Sequence, residues 1–160
     1  MDKNTYRQAD ELGRTHFNED FGTWYITAGT EDIYDKIDLY ATARTDHSRT
    51  YAIEIKNYEN DEHPRAYEKF SWNGKDYGYM IDYEKVENLC KVAEEEGRIP
   101  IIYARFSDWT IVWDLRKISW KDRKRYMKVN KDGQNYGKEK EEAPVTYMYK
   151  KEAVYVKPTE

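Results

Sequence analysis

The stretch KIDLYATARTDHSRTYAIEIKN, residues 36–57, decides the fold expected for this chain. Residues 36–44 and 50–57 alternate between apolar and polar side chains, which is typical of β-strands with one buried face. The turn-rich residues 45–49 join them, so we predict an antiparallel hairpin. The two apolar faces must coincide, because a slip by one residue would bury charged side chains. The apolar face is expected to comprise Ile37, Leu39, Ala41, Ala43, Tyr51, Ile53 and Ile55.

The opposite face of this hairpin brings Asp38, Glu54 and Lys56 together. In the simplest register Asp38 lies opposite Lys56 and diagonal to Glu54, at about 7–8 Å, within reach of one shared ion. Two carboxylates, with the carbonyl of Ile55 as a further ligand, suit a hard cation such as Mg²⁺. A neighbouring lysine can orient a water or stabilise developing negative charge. The alternative is a solvent-facing strand pair with a cross-strand Asp–Lys contact, and the hairpin alone does not separate the two.

The segments around the hairpin predict an α/β fold. Residues 4–20 have the spacing of an amphipathic helix, and residues 24–28 are β-prone. Residues 82–96 predict a second helix, with Asp82 as N-cap and a stop at Gly97. Two further strands, 99–106 and 109–115, follow it. The strand–helix–strand step predicts a crossover within one sheet.

Two parts of the chain have weaker patterns. Pro64, the pair Asn73–Gly74 and Gly78 interrupt residues 58–81, so we predict a functional loop or lid with a short helix near residues 65–70. From residue 116 onward the chain is basic and turn-prone, and one or two strands are expected only within residues 145–156.

The totals limit the class of protein. The 160 residues fit one domain, 1–160, with a core at about 5–115 and a basic, β-prone extension at about 116–160. The single cysteine, Cys90, excludes a disulfide within the chain and favours a reducing compartment. We see no signal peptide and no apolar stretch long enough for a membrane span, and therefore expect a cytoplasmic protein without a membrane partner. The net charge of −4 argues against a general nucleic-acid coat protein.

Residues 116–131 form a local exception, with eight basic residues and one acid. Such a run can bind a phosphate backbone by releasing counterions, and the interleaved Trp120 and Tyr126 can stack on bases. The alternative is a solvated segment that balances the acidic body. The candidate nucleic-acid-binding residues are Lys121, Arg123, Lys124, Arg125 and Lys128.

Asp38, followed after a short hairpin by Glu54-Ile55-Lys56, resembles the signature of the PD-(D/E)XK nuclease superfamily. The order helix, three strands, helix, strand is similar to the common core of that superfamily over roughly residues 5–115. The resemblance implies a restriction-endonuclease-like core, an α/β fold whose central mixed β-sheet is flanked by helices. Ile37 stands where many members have proline, and the resemblance does not extend to the tail.

The resemblance also implies roles for particular residues. Asp38 and Glu54 would bind Mg²⁺ or Mn²⁺, and Lys56 would be the catalytic lysine. Many members add a glutamate from the first helix, for which Glu11 is the best match, although a solvated helix face explains Glu11 almost as well. The fallback acids are Glu19 and Asp20. Positions such as Lys85, Tyr58, Tyr67 and Trp72 often approach the scissile phosphate or the bases in related enzymes.

The activity implied is metal-dependent hydrolysis of DNA by an endonuclease, of the kind seen in small Holliday-junction resolvases and phage endonucleases. DNA is then the partner, and a homodimer is expected because many such folds cut one strand per subunit. The runner-up is a non-cutting member of the same fold that serves as a nucleic-acid-binding or protein-interaction module.

Overall fold

The computed structural model describes residues 3–29, 37–58, 65–130 and 140–159. Its α-helices are α1 (Lys3–Phe21) and α2 (Tyr83–Glu95). The strands are β1 (Tyr25–Gly29), β2 (Leu39–Ala43), β3 (Thr50–Asn57), β4 (Ser71–Trp72), β5 (Lys75–Asp76), β6 (Tyr79–Asp82), β7 (Ile99–Arg105), β8 (Trp109–Asp114), β9 (Arg125–Asn130), β10 (Lys140–Met148) and β11 (Tyr155–Pro158).

Within the described residues, six strands form the main sheet in the order β1-β2-β3-β7-β8-β11. The β3–β7 pair is parallel and the other neighbouring pairs are antiparallel. The return from β3 to β7 runs through α2, so the predicted crossover is confirmed. The predicted N-cap is also confirmed, because the Asp82 carboxylate accepts a hydrogen bond of 2.9 Å from the amide of Glu84. The chain is α/β with a mixed sheet flanked by helices.

Both faces of the central strands are covered. On one face, α1 packs through Phe17 against Tyr103, with ring centroids 5.3 Å apart. On the other face, the apolar stripe of α2 packs in a cluster that includes Trp113 of β8. Because α2 covers this face, the α2 face of β3 is not solvent-facing, and Ala52 and Glu54 on that face are 0% and 6% exposed.

Neither of the two helices described is long and apolar enough to cross a membrane.

The start of β2 differs from the expectation. We predicted that Ile37 would share the apolar face of Leu39, and this is wrong. The chain bends at Asp38, β2 begins only at Leu39, and Ile37 packs in the α2-side cluster while Leu39 packs on the α1 side. Alternation holds only where the backbone is a regular strand, so it fails at a bend.

The segment after β3 is more regular than predicted. Tyr67–Phe70 forms the expected short helix, of the 3₁₀ type. The turn between β4 and β5 is Asn73-Gly74, where both residues have positive φ (51° and 75°), as a tight two-residue hairpin requires. The Asn-Gly pair was a hairpin signal that we interpreted only as a break. Residues 59–64 of the predicted loop lie outside the described residues.

The tail contributes strands that its basic composition did not suggest. The expectation of turn-prone chain from residue 116 to residue 145 is wrong for β9 and for the first half of β10. β10 pairs with both β6 and β9 in a second sheet, in the order β6-β10-β9. The last strand, β11, pairs with β8 and extends the main sheet.

Gly13 determines how closely α1 approaches the sheet. A Cβ built at this position would lie 2.4 Å from Cγ2 of Ile55, which real atoms do not tolerate. We expect Gly13→Ala to lower the free energy of unfolding by about 1–3 kcal/mol, because overpacking outweighs the gain in helix propensity. Urea denaturation measures the effect. In the Ile55→Ala background, Gly13→Ala should lower the free energy of unfolding by a smaller amount. An equal loss in both backgrounds would contradict the proposed clash with Ile55.

Candidate active site

Asp38 lies level with Glu54, not with Lys56. The β2–β3 register pairs Leu39 with Ile53, and one step further places Asp38 beside Glu54. The predicted pairing of Asp38 with Lys56 is therefore wrong by two residues. The backbone contacts agree: the amide of Asp38 donates to the carbonyl of Ile53 at 3.2 Å, and the amide of Ile55 donates to Asp38 Oδ2 at 2.8 Å. The shift brings the two carboxyl groups closer than predicted.

The carbonyl of Ile55 points toward the same place. In a β-strand the amide and the carbonyl of one residue point to the same side, which is how paired residues exchange two hydrogen bonds. The Ile55 amide points toward Asp38, so its carbonyl does too. The regular pairing of β2 with β3 does not extend to this point, because it begins at Leu39, the first residue of β2, which pairs with Ile53. One backbone oxygen and two carboxylates thus converge at the start of β2.

Two lysines lie over Glu54. Lys56 Nζ is 3.2 Å and Lys85 Nζ is 3.3 Å from the same oxygen, Glu54 Oε1. Lys56 comes from β3 itself, two residues along the same face, and Lys85 comes from the first turn of α2. The Lys56 side chain is 21% exposed and that of Lys85 is 51% exposed. The site is therefore a buried carboxylate with a polar opening toward the start of α2.

The neighbouring charges shift the pKa values of Glu54 and Lys56. Burial alone would raise the pKa of the Glu54 carboxyl, but the ammonium groups of Lys56 and Lys85 and hydrogen-bonding contact with Asp38 hold this pKa below its usual value. Burial alone would lower the pKa of Lys56, but Glu54 and then Tyr58 raise it. Glu54 is thus ionised and Lys56 protonated at neutral pH.

This shift predicts how Glu54 affects acid stability. A carboxyl whose pKa is lower in the folded than in the unfolded chain stabilises the fold above the unfolded value and loses that contribution as the pH falls through the folded value. The ordinary value for Glu54 is 4.5. We therefore expect the free energy of unfolding to fall less steeply below this pH in Glu54→Gln than in the wild type, as measured by urea denaturation. Glu87→Gln, at an exposed site on α2, should keep the wild-type slope.

Three further side chains, those of Tyr58, Tyr79 and Arg65, lie near Glu54 and Lys56. The hydroxyl groups of Tyr58 and Tyr79 are hydrogen-bonded to each other, and the guanidinium of Arg65 lies 4.8 Å from the centre of the Tyr58 ring. Burial raises the pKa of Tyr79, with further contributions from Tyr58 and Glu54. Tyr79 and Arg65 were missed from the sequence. The alternation of Tyr79 and Ile81 in a short strand was the available signal.

The other two aromatic candidates lie apart from this group. Tyr67 is buried, and its hydroxyl donates to the carboxylate of Asp76 at 3.0 Å. Trp72 is 69% exposed on the β4–β5 hairpin. Tyr67 therefore stabilises the loop. Trp72 is a surface residue, and the structure shows no contact between it and the carboxylates of Asp38 and Glu54.

The helix α1 carries the three acids considered for the site, Glu11, Glu19 and Asp20. Glu11 is exposed on α1, which packs on the face of β3 that carries Ile55 and faces away from Glu54. Glu19 is exposed and pairs with His16 at 3.3 Å. Asp20 is buried on the α1 face, where it accepts from Tyr103 at 2.7 Å and pairs with Lys157. The described contacts of Asp20 are those of a structural ionic cluster.

The basic run contains both residues with structural contacts and exposed residues. Arg123 binds both carboxylate oxygens of Glu152, at 2.7 and 2.6 Å, and therefore has a structural contact. Trp120 is 5% exposed and packs on Tyr83, so our suggestion that it stacks on bases is wrong. Tyr126 is 61% exposed. The remaining candidates, Lys121, Lys124, Arg125 and Lys128, are exposed.

Lys124 of the basic run lies near the start of α2. Its Nζ lies 4.6 Å from the centre of the Tyr83 ring, at the first residue of α2. Lys85, which contacts Glu54, is in the same helical turn as Tyr83. Residues two apart in a helix point to opposite sides, so Lys124 and Lys85 lie near the same end of α2 without forming one continuous surface.

The donor set fits a hard cation that keeps part of its water shell. Asp38 and Glu54 offer carboxylate oxygens and Ile55 a carbonyl, and Mg²⁺ is commonly bound by one or two carboxylates plus waters and substrate phosphate oxygens. In the part of the chain that the structure describes, no group of three or more His, Cys, Asp or Glu side chains could hold a metal.

Comparison with known proteins adds nothing to these contacts. No family model matches this chain. Neither the curated proteins nor the solved structures contain a match.

Proposed function

We propose that this chain is a nuclease that hydrolyses phosphodiester bonds in DNA with Mg²⁺ or Mn²⁺, on a restriction-endonuclease-like core. The observation that supports it most is the convergence of Asp38, Glu54 and the Ile55 carbonyl where β2 pairing ends, with Lys56 beside Glu54. Two ionised carboxyl groups in contact repel each other, which is unfavourable unless a proton, a cation or a lysine compensates their charge. A phosphoryl-transfer site needs this concentration of charge.

Each residue has a distinct role in the proposal. Asp38 and Glu54 would hold the cation, whose chemistry there would be to lower the pKa of a bound water and to stabilise charge on the phosphoryl group. The Asp38 carboxylate is itself fixed by the Ile55 amide, at 2.8 Å. Lys56 is protonated and positions the attacking water or stabilises the developing charge. Lys85, at the start of α2, attracts the phosphate backbone toward Glu54.

The experiment is cleavage of labelled duplex, single strand, flap and four-way junction with Mg²⁺, Mn²⁺ or EDTA. Metal-dependent cutting of any substrate by wild type, lost in Asp38→Asn, supports the proposal. A folded wild-type protein that cuts none of these substrates and binds no Mn²⁺ would overturn it.

The second candidate is a non-cutting nucleic-acid-binding or protein-interaction module with the same fold. The observation that favours it is the charge balance at the site, where two lysines offset Glu54 without a cation. The module predicts DNA binding that is equal in EDTA and in Mn²⁺. The nuclease predicts tighter binding when the cation is present, because it neutralises charge between Asp38, Glu54 and the phosphate.

The exposed lysines near the start of α2 predict a salt-dependent contribution to DNA binding. Each lysine that neutralises one phosphate contributes about 0.9 to the slope of log K against log salt concentration. We expect Lys121→Ala with Lys124→Ala to reduce this slope by up to about 1.8, as measured by fluorescence anisotropy at several salt concentrations.

Arg123→Ala is the matched control for this measurement. Its guanidinium is bound to Glu152, so the variant should lose about 1–3 kcal/mol of stability and keep the wild-type salt slope. A lower slope in Arg123→Ala, with no change in the lysine variant, would contradict this assignment of the basic run.

A further inference from the structure

A second concave surface lies on the face of the sheet opposite the carboxylates. It is a pocket of about 570 Å³, within the range of small-molecule sites. Its floor includes Ile53, Ile101 and Val112. Because adjacent residues of a strand point to opposite faces, Ile53 faces this pocket while Glu54 faces the candidate active site. The two sites are therefore separated by the thickness of the sheet.

Aromatic rings form the walls of this pocket. Tyr25 and Tyr51 meet edge to face, with centroids 5.4 Å apart and an interplanar angle of 88°. Phe21 and Tyr155 meet in a similar way at 5.0 Å and 66°. Tyr155 is 37% exposed, so part of its ring remains open to a ligand. Aromatic walls over an aliphatic floor suit a flat apolar group such as a nucleobase.

The charged residues of the pocket are mainly cationic, although the whole chain carries a net charge of −4. Arg49, Arg116 and Lys117 line the pocket and are exposed. Among the described residues that line it, Asp114 is the one acid, and Arg116 binds both of its oxygens at 3.1 and 2.8 Å. The positive charge that remains is therefore that of Arg49 and Lys117.

We propose that this pocket binds a nucleoside phosphate. The base packs against the aromatic walls and the aliphatic floor, and the phosphate binds Arg49 and Lys117. The same chemistry is offered by a free mononucleotide and by the 5′-phosphorylated end of a DNA strand. The proposal does not depend on the cleavage activity of the other face.

The test is isothermal titration of the full chain in EDTA, which excludes cation-mediated binding at Asp38 and Glu54. The probes are AMP, GMP, adenosine, inorganic phosphate, and a tetranucleotide with or without a 5′-phosphate. A mononucleotide should bind at least about tenfold more tightly than adenosine or phosphate, because both parts of the pocket contribute. If the 5′-phosphorylated tetranucleotide binds a further tenfold more tightly than the mononucleotide, the ligand is a strand end. If these two probes bind with equal affinity, the ligand is the free nucleotide.

Variants locate the binding. The pair Arg49→Glu and Lys117→Glu, and separately Tyr155→Leu, should each weaken mononucleotide binding by about tenfold or more, with thermal unfolding as the check on folding. Lys91→Glu, at an exposed site on α2 on the other face, should bind as the wild type does. Asp38→Asn should also bind normally, whether or not the nuclease proposal holds. No saturable mononucleotide binding, or binding unchanged in both pocket variants, would overturn the proposal.

Discussion

Replacing Lys56 with alanine is expected to lower the rate of metal-dependent cleavage by about 10²–10³-fold, the loss typical of one preorganised charge-stabilising group. Lys56 Nζ is 3.2 Å from Glu54 Oε1, and Glu54 keeps the pKa of this ammonium above its usual value. In the proposed reaction the lysine therefore acts as a cation beside the Glu54 carboxylate. Single-turnover cleavage of the preferred substrate measures the chemical step directly.

Lys85→Ala is the matched control, because Lys85 contacts the same oxygen at 3.3 Å but its side chain is 51% exposed. We expect it to lose less than about tenfold in rate and to weaken DNA binding, since an exposed charge mainly steers the polyanion. In Lys56→Ala the affinity for Mn²⁺ should be equal to or greater than that of the wild type, because a cation that competes for Glu54 has been removed. A Lys56→Ala protein that cleaves at the wild-type rate would contradict the role given to this residue.

Asp38→Ala is expected to lose both metal binding and stability. The change removes one of two carboxylates of the proposed cation site, and the affinity for Mn²⁺ should fall by at least about 100-fold. It also removes the acceptor of the Ile55 amide, at 2.8 Å, and an unsatisfied buried amide costs about 1–3 kcal/mol. Calorimetric titration with Mn²⁺ and urea denaturation measure the two losses separately.

Asp38→Asn separates these two effects. Its side-chain oxygen still accepts from the Ile55 amide, so most of the stability should return, while the charge needed by the cation is absent. We expect wild-type-like unfolding without Mn²⁺ binding or cleavage. Normal Mn²⁺ affinity in Asp38→Asn would place the cation elsewhere.

The elements that the sequence predicted well have strong local signals. The strand at residues 50–57 has the predicted bounds, and α2 begins after Asp82 and is followed by Gly97. The crossover between β3 and β7 followed from the length and helical pattern of the connection. The hairpin β4–β5 had a local signal as well, the pair Asn73-Gly74 with its positive φ angles, but we interpreted this pair only as a break in the chain.

The elements that were predicted poorly depend on distant partners. β9 and the first half of β10 have a basic or acidic composition, and they are strands because each pairs with another strand. Trp120, which we expected at the surface, is buried because α2 brings Tyr83 against it. Propensity is a weak guide where cross-strand packing decides the conformation.

The sequence by itself determined the fold class and the parity of the β2–β3 pairing, and it therefore placed Glu54 and Lys56 on one face, because periodicity and register parity are local properties. The tertiary structure alone decided that Asp38 lies level with Glu54, since the chain bends before β2 and ends the pairing at Leu39. It also decided that Glu54 is buried and that Lys85 reaches it, because α2 covers that face of the sheet. Burial and charge depend on what packs above a strand, and the alternation within the strand does not contain that information.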